Sequence, residues 1–273
     1  MNSVVILTGA ASGIGLHLAG VFASRGYPLL VTDIHEQILQ EQAEKLHWRS
    51  PQVLIQKLDV RDREQWKQTI DLAVQTWGRV DILMNIAAYL RPGFIHEIDA
   101  SEVDRHIDVN IKGVLYGTQA AARQMILQGK GHIINISSLA GIAPTPGISL
   151  YSASKFSVRG FSLAVADELR PHGVYVTVVC PDAVQTPMLD LQLGYRKETA
   201  LVFSGPHPLR VQDIERAIFE KVIPKRPLEV LLPAHRGWLA KLANLFPSLL
   251  KTLGPIFRKR GLSNQTKYER GEL

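Results

Sequence analysis

The chain has 273 residues, 46% hydrophobic and 21% charged, which suits one large α/β domain and excludes a disordered or fibrous protein. Its single cysteine, Cys180, rules out an intrachain disulfide and points to a reducing, cytoplasmic setting. The net charge of +6 is unevenly placed: residues 1–206 hold 18 basic and 19 acidic side chains, whereas residues 207–273 hold 13 and 6, so a neutral body carries a basic tail. No apolar run reaches the roughly 18 residues of a spanning helix. Met1-Asn2-Ser3 runs straight into apolar residues without a basic leader, so no signal peptide is expected.

In chain order, β-branched apolar runs alternate with stretches of helical period. Strands are expected at 4–8, 29–33, 53–58, 80–85, 131–137, 174–180 and 229–232. Helices are expected at 13–25, 36–48, 63–77, 101–128 with Ser101 as N-cap, 151–170 and 211–222. The strands are continuous apolar runs, the pattern of strands buried on both faces. Their alternation with helices predicts right-handed βαβ units and a parallel sheet.

The first strand runs into Thr8-Gly9-Ala10-Ala11-Ser12-Gly13-Ile14-Gly15, three glycines between a strand and a helix. Glycine permits φ > 0 and lets the backbone approach a pyrophosphate, and the helix N-terminus then favours the anion. The bland alternative is a plain strand-to-helix turn. Asp33 ends the second strand, where an acid accepts the adenosine ribose hydroxyls and repels a 2′-phosphate; the bland alternative is a turn aspartate. Together they predict a Rossmann-type doubly wound, mainly parallel sheet of about seven strands flanked by helices, and a preference for NAD(H) over NADP(H).

Tyr151-Ser152-Ala153-Ser154-Lys155 places a phenol and an ammonium one helical turn apart. A free tyrosine titrates near pH ~10 and a neighbouring ammonium favours the phenolate, so the pair is a candidate acid/base. Alone, such spacing is common in helices. Asn135-Ile136-Ser137-Ser138 stands thirteen residues earlier at a strand end, and Asn110 sits in an otherwise apolar helix. A buried asparagine needs partners, which a local helix distortion would supply.

These pieces resemble the short-chain dehydrogenase/reductase family, in its subtype of about 250 residues with the TGxxxGxG turn and YxxxK pair. The matches are Thr8 to Gly15, Asp59-Val60, Asn85-Ile86-Ala87, Asn110, Ser138, Tyr151 with Lys155, and Pro181 through Thr186-Pro187-Met188, over roughly residues 3–190. The resemblance implies a catalytic set of Asn110, Ser138, Tyr151 and Lys155. It implies a dinucleotide held by Thr8, Gly9, Ser12, Gly13, Ile14, Gly15, Asp33, Asp59, Val60, Asn85, Ala87, Tyr151, Lys155, Pro181, Val184 and Thr186. It also implies a homodimer or homotetramer paired through the helices bearing Asn110 and Tyr151. Two positions depart from the family's pattern: Ala88 and Asp182 stand where glycine is common.

The expected activity is an NAD-dependent interconversion of a secondary or primary alcohol with its ketone or aldehyde. The alternative is a dinucleotide-sensing regulator or scaffold of the same fold. Tyr89, Ser138, Leu139, Ile148 and Met188, with a substrate loop at 182–210, predict a lipophilic substrate, unless these side chains simply pack the lid. No metal site is expected. Residues 1–233 read as the catalytic domain and 234–273 as a basic amphipathic extension. Within it Arg236, Lys241, Lys251, Arg258, Lys259 and Arg260 interleave with apolar residues, including Leu249 and Leu250, with breaks expected near Pro247 and at Gly254-Pro255. Such a segment either lies in an anionic membrane interface or packs on its own domain or a partner subunit. No nucleic-acid motif accompanies the charge.

Overall fold

The computed structural model describes residues 3–49 and 52–272, apart from the side chains of residues 249–251. Met1 and Asn2, and the side chains of Leu249, Leu250 and Lys251, thus lie outside the described residues. Strands β1 (Val5–Thr8), β2 (Leu29–Asp33), β3 (Val53–Lys57), β4 (Ile82–Asn85), β5 (Gly131–Ile136), β6 (Val174–Pro181) and β7 (Glu229–Leu232) form one sheet. Its order is β3-β2-β1-β4-β5-β6-β7, with every pairing parallel. The order reverses between β1 and β4, and at such a switch point a crevice opens at the carboxyl ends of the strands.

Side chains alternate across the sheet with period two. Val5 and Leu7 of β1 join one core with Leu18 and Phe22 of helix α1 (Gly13–Ser24) and with Ile214. Ile6 faces the other core, with Trp66 and Ile70 of α3 (Arg63–Trp77) and with Met125. Helix α2 (Glu36–Lys45) follows β2. Helix α3 starts at Asp62, whose carboxylate accepts from the Glu64 and Gln65 amides, and ends at Gly78 with φ 75°.

The long helix expected from Ser101 to Gln128 is three segments. Helix α4 (Ala100–His106) is capped by Asp99 rather than Ser101, because the Asp99 carboxylate accepts from the Ser101 amide. A wider π-type turn, Ile107–Lys112, follows, and then α5 (Gly113–Leu127). Helix α6 (Ser149–Leu169) crosses from β5 to β6. Beyond β6 come α7 (Pro187–Leu193), α8 (Val211–Ala217), a second π-type turn at Ile218–Val222 and the short turn α9 (Ile223–Lys225).

The tail forms two helices, α10 (Ala234–Leu245) and α11 (Pro247–Glu269). The break falls at Phe246, just before Pro247, and proline suits the first helical position. The second expected break is absent: α11 runs through Gly254-Pro255. An interior proline costs about 3 kcal/mol, and tertiary contacts further along offset it. The Asn264 amide donates to the Phe203 and Gly205 carbonyls, buried Gln265 donates to Thr199 Oγ1, and Gly261 lies against the Ala200 carbonyl. Among the described residues no helix is long and apolar enough to cross a membrane.

Candidate active site

One cleft of about 690 Å³ opens at the carboxyl ends of the strands. The glycine turn forms its floor. Gly9 and Gly13 take φ of 67° and 54°, a region that side chains other than glycine rarely adopt. A Cβ on Gly15 would stand 2.0 Å from the Gly9 carbonyl oxygen, so only glycine lets α1 start so close to the turn. Ser12 precedes α1 in an extended conformation and makes no capping hydrogen bond. Across the cleft, a Cβ on Gly13 would lie 3.3 Å from the Thr186 side chain, so the turn and the start of α7 face each other closely.

Asp33 stands at the rim. Its carboxylate accepts from the Ala11 amide at 3.0 Å and the His35 amide at 2.9 Å, which ties the turn to the end of β2. Asp59 and Val60 line the cleft nearby. The Arg61 guanidinium is held by Asp59 through contacts of 2.6–3.1 Å and keeps that carboxyl below its usual pKa. At this end of the cleft a carboxylate faces the opening, and the neighbouring guanidinium is engaged by Asp59. Ala87, Pro181, Val184 and Thr186 also line the cleft.

Thr8 and Asn85, expected along the dinucleotide, stand behind the wall instead. Thr8 Oγ1 accepts from the Ile86 and Ala87 amides. The Asn85 amide donates to Asn135 at 2.8 Å and to Thr118, and Asn135 in turn donates to Ser162. This buried polar ladder binds β4, β5, α5 and α6 together. Its signal in the sequence is polar residues set amid apolar strand and helix runs.

Tyr151 lies in the first turn of α6 and Lys155 one turn on. Two contacts bring this helix against the end of β5. Ser137 Oγ donates to the Lys155 carbonyl at 2.8 Å, and a Cβ on Gly141 would sit 2.6 Å from that same oxygen. Ser138 caps the short turn Leu139–Gly141 by accepting from the Ala140 amide, its hydroxyl donates to the Pro181 carbonyl at 3.4 Å, and it lies close enough to the Tyr151 phenol to favour the phenolate. Lys155 Nζ donates to the Ile136 carbonyl at 2.8 Å and sits 5.5 Å from the Tyr151 ring centroid.

Burial pushes the Tyr151 phenol above the ordinary tyrosine value, with the Ser138 hydrogen bond acting in the opposite direction. Burial lowers the Lys155 ammonium to about 8. The expectation that Lys155 draws the phenol down is therefore corrected: desolvation dominates at Tyr151, and the ammonium is bonded to Ile136. Asn110 lies in the π-type turn, fully buried, and does not line the cleft. Its side chain accepts from the Tyr89 amide at 2.6 Å and donates to the Tyr89 carbonyl and to Ser154 Oγ. It clamps the loop after β4 to the helix bearing Tyr151. Among the described residues no cluster of metal-ligating side chains occurs.

The substrate side holds Tyr89, Leu139, Ile148 and Met188. Leu90, Ala140 and Ile148 pack directly around Tyr151. Leu239, Leu242, Leu253 and Phe257 of α10 and α11 also line the cleft and form a far wall that no local sequence pattern announces. The unusual Asp182 explains how they are held, since its carboxylate pairs with Arg236 of α10. Lys241 of α10 pairs with Glu229 of β7, which Arg159 of α6 also grips at 2.6 Å.

A family model for short chain dehydrogenases matches residues 3–193. The chain belongs to the short-chain dehydrogenase family. Over 200 residues, this short-chain dehydrogenase is 36% identical to the 3-oxoacyl-[acyl-carrier-protein] reductase FabG of Thermotoga maritima, covering 73% of this chain and 81% of that protein. It is 35% identical over 191 residues to a diacetyl reductase [(S)-acetoin forming] of Staphylococcus epidermidis, covering 70% and 74%. Among solved structures it is similar to a short chain dehydrogenase/reductase from Burkholderia phymatum in complex with NAD, with a TM-score of 0.81, 28% identity, and coverage of 91% and 95%. ElxO with NADP bound shares the fold at a TM-score of 0.75 and 24% identity, covering 85% and 96%. Helices α10 and α11 lie beyond the part of the short-chain dehydrogenase that the family model matches.

Proposed function

We propose that this short-chain dehydrogenase uses NAD(H) to interconvert a lipophilic secondary or primary alcohol and its ketone or aldehyde. The observation that carries the reading is the convergence of Tyr151, Ser138 and Lys155 with the glycine turn and Asp33 on one apolar-walled cleft. Gly9, Gly13 and Gly15 permit the tight turn that sets the start of α1 at the cleft, where its free amides favour a pyrophosphate, and Asp33 offers a carboxylate to ribose hydroxyls. A bound nicotinamide supplies the hydride acceptor or donor for the substrate carbon.

The protein's own part is the proton. The Ser138 hydroxyl holds the substrate oxygen against Tyr151. In reduction the Tyr151 phenol gives its proton to that oxygen; in oxidation the phenolate removes it. The Lys155 ammonium, 5.5 Å from the ring centroid, offsets part of the desolvation cost as the phenolate forms, without bringing the phenol below its ordinary value. Leu90, Ala140 and Ile148 keep water from the phenol, which strengthens each of these interactions.

The test is turnover of NADH or NAD with a panel of lipophilic ketones and alcohols, followed by nicotinamide absorbance. At least one substrate is expected to turn over, and Tyr151→Phe to lower kcat by about 10²–10⁴-fold with dinucleotide affinity kept. Undiminished turnover in Tyr151→Phe overturns the mechanism. Dinucleotide binding without turnover of any substrate favours a sensing role instead.

A further inference from the structure

Helices α10 and α11 have an inner and an outer side with different occupants. Inward, Leu239, Leu242, Leu253 and Phe257 wall the same cleft as Tyr151. Outward, Trp238, Leu245 and Ile256 are 65%, 69% and 65% exposed, and Phe246 beside them is exposed too. Leu239, Leu242 and Leu253 belong to both sides: they line the cleft and are exposed. The apolar patch and the apolar rim of the cleft are therefore one surface.

The charge around this surface is of one sign. From Val230 to Leu262 the chain has six cations and no acid. Arg236 and Lys241 are engaged inward by Asp182 and Glu229. Arg258, Lys259 and Arg260 are exposed and, among the described residues, make no salt bridge. Arg260 follows Ile256 by four residues, so on α11 they share a face. Exposed leucines and isoleucine, a tryptophan and adjoining uncompensated cations match the chemistry of an anionic lipid interface: acyl chains below, phosphates above. A second copy of this surface would instead set the same cations against an acid-free face. No helix spans a membrane among the described residues, so the contact is one that lies on the surface.

We propose that α10 and α11 seat the mouth of the cleft on an anionic lipid bilayer, so that a lipophilic alcohol or ketone enters the Tyr151 chamber from the membrane. The entry route rests on the oxidoreductase reading above; the docking does not. The experiment sediments the full chain with vesicles of phosphatidylcholine alone or mixed with phosphatidylglycerol. Pelleting with the mixed vesicles is expected, weakening as sodium chloride is raised. The double variant Leu245→Glu/Ile256→Glu changes only exposed side chains off the cleft. It is expected to lose vesicle affinity by at least about tenfold, while keeping its circular dichroism and its turnover of a water-soluble alcohol in vesicle-free buffer.

Wild-type chain that stays in the supernatant with the mixed vesicles overturns the docking. So does a double variant that pellets as the wild type does. If the double variant instead turns a dimer into a monomer in sedimentation velocity, without vesicle binding by either form, the patch is a subunit interface and the proposal falls. Pelleting without turnover of any substrate counts against the oxidoreductase reading alone.

Discussion

Asp33 accepts two backbone amides, from Ala11 and His35, and still faces the cleft. A carboxylate has about four acceptor positions, so bracing the turn leaves capacity for a ribose. A phosphate in the same place would meet a like charge, a juxtaposition that costs several kcal/mol. Asp33→Ala is accordingly expected to lower the ratio of kcat/KM for NAD over NADP by at least about tenfold, or ~1.4 kcal/mol. Kinetics with both dinucleotides decide it, and an unchanged ratio removes Asp33 from cofactor choice.

The acid/base pair makes a pH prediction of definite sign. Lys155 is lowered to about 8 by burial, so it is charged below that pH and neutral above it. Tyr151 is raised by burial, so the phenol stays protonated through the neutral range. Ketone reduction needs the protonated phenol and the charged lysine together, a state present below about pH 8 and lost as pH rises. The kcat/KM profile for reduction, which reports the free enzyme, is expected to be level near neutrality and to fall above that point. The same falling limb in the residual activity of Lys155→Met would assign it to another group.

At the scale of elements, the ion pair between Asp182 and Arg236 joins the end of β6 to α10 across 54 residues of sequence. Both side chains are largely buried, 17% and 20% exposed. A hydrogen bond to a charged group at such a site contributes about 1.5–3 kcal/mol. Asp182→Asn and Arg236→Ala are each expected to destabilise the protein to urea and to speed hydrogen exchange in α10. The double variant should cost no more than the worse single one. Fully additive losses would show that the pair does not act as a unit.

This element also marks where sequence legibility ends. The strands were readable because each is a mainly apolar, β-branched run, and β7 falls at Glu229–Leu232 as expected. The distortion expected at Asn110 is the π-type turn at Ile107–Lys112. The course of the tail was not readable. Local rules predict a break at Gly254-Pro255, yet Asn264 and Gln265 anchor α11 to loop carbonyls and Thr199 and carry the helix through. The wall that α10 and α11 add to the cleft depends on Asp182, Glu229 and their distant cations, and no periodicity announces such pairs. The Tyr151 titration escaped for a similar reason: neighbour spacing is visible in the sequence, but desolvation is set by Leu90, Ala140 and Ile148.

Across the whole molecule, the chemistry and the most strongly shifted histidine occupy opposite ends of the sheet. The cleft lies at the carboxyl ends of the strands, whereas His132 lies near the start of β5, 3% exposed. Thr177 Oγ1 donates to the Pro227 carbonyl at 2.5 Å, so the His132 Nε2–H is the donor in its 2.9 Å contact with that hydroxyl. Burial, helped by the nearby Arg226 charge, lowers His132 to about 3. An unfolded histidine titrates near ~6.5. Between these values the unfolded chain binds a proton that the folded chain refuses, so the folded state loses stability as pH falls through the window and is unaffected above it. The slope from one such group approaches about 1.4 kcal/mol per pH unit. Buried His106, also lowered by desolvation, acts in the same direction, so removing His132 leaves part of the slope in place. Carboxylates held down by their partners, such as Asp59 through Arg61, add their loss only at lower pH, near and below ~4. His132→Gln keeps a donor for Thr177 and removes the titration. Urea unfolding at intervals between pH ~6.5 and ~4.5 is expected to show a shallower loss of stability for this variant than for the wild type. Parallel slopes would mean that His132 takes up its proton without unfolding, through local opening at the amino ends of the strands.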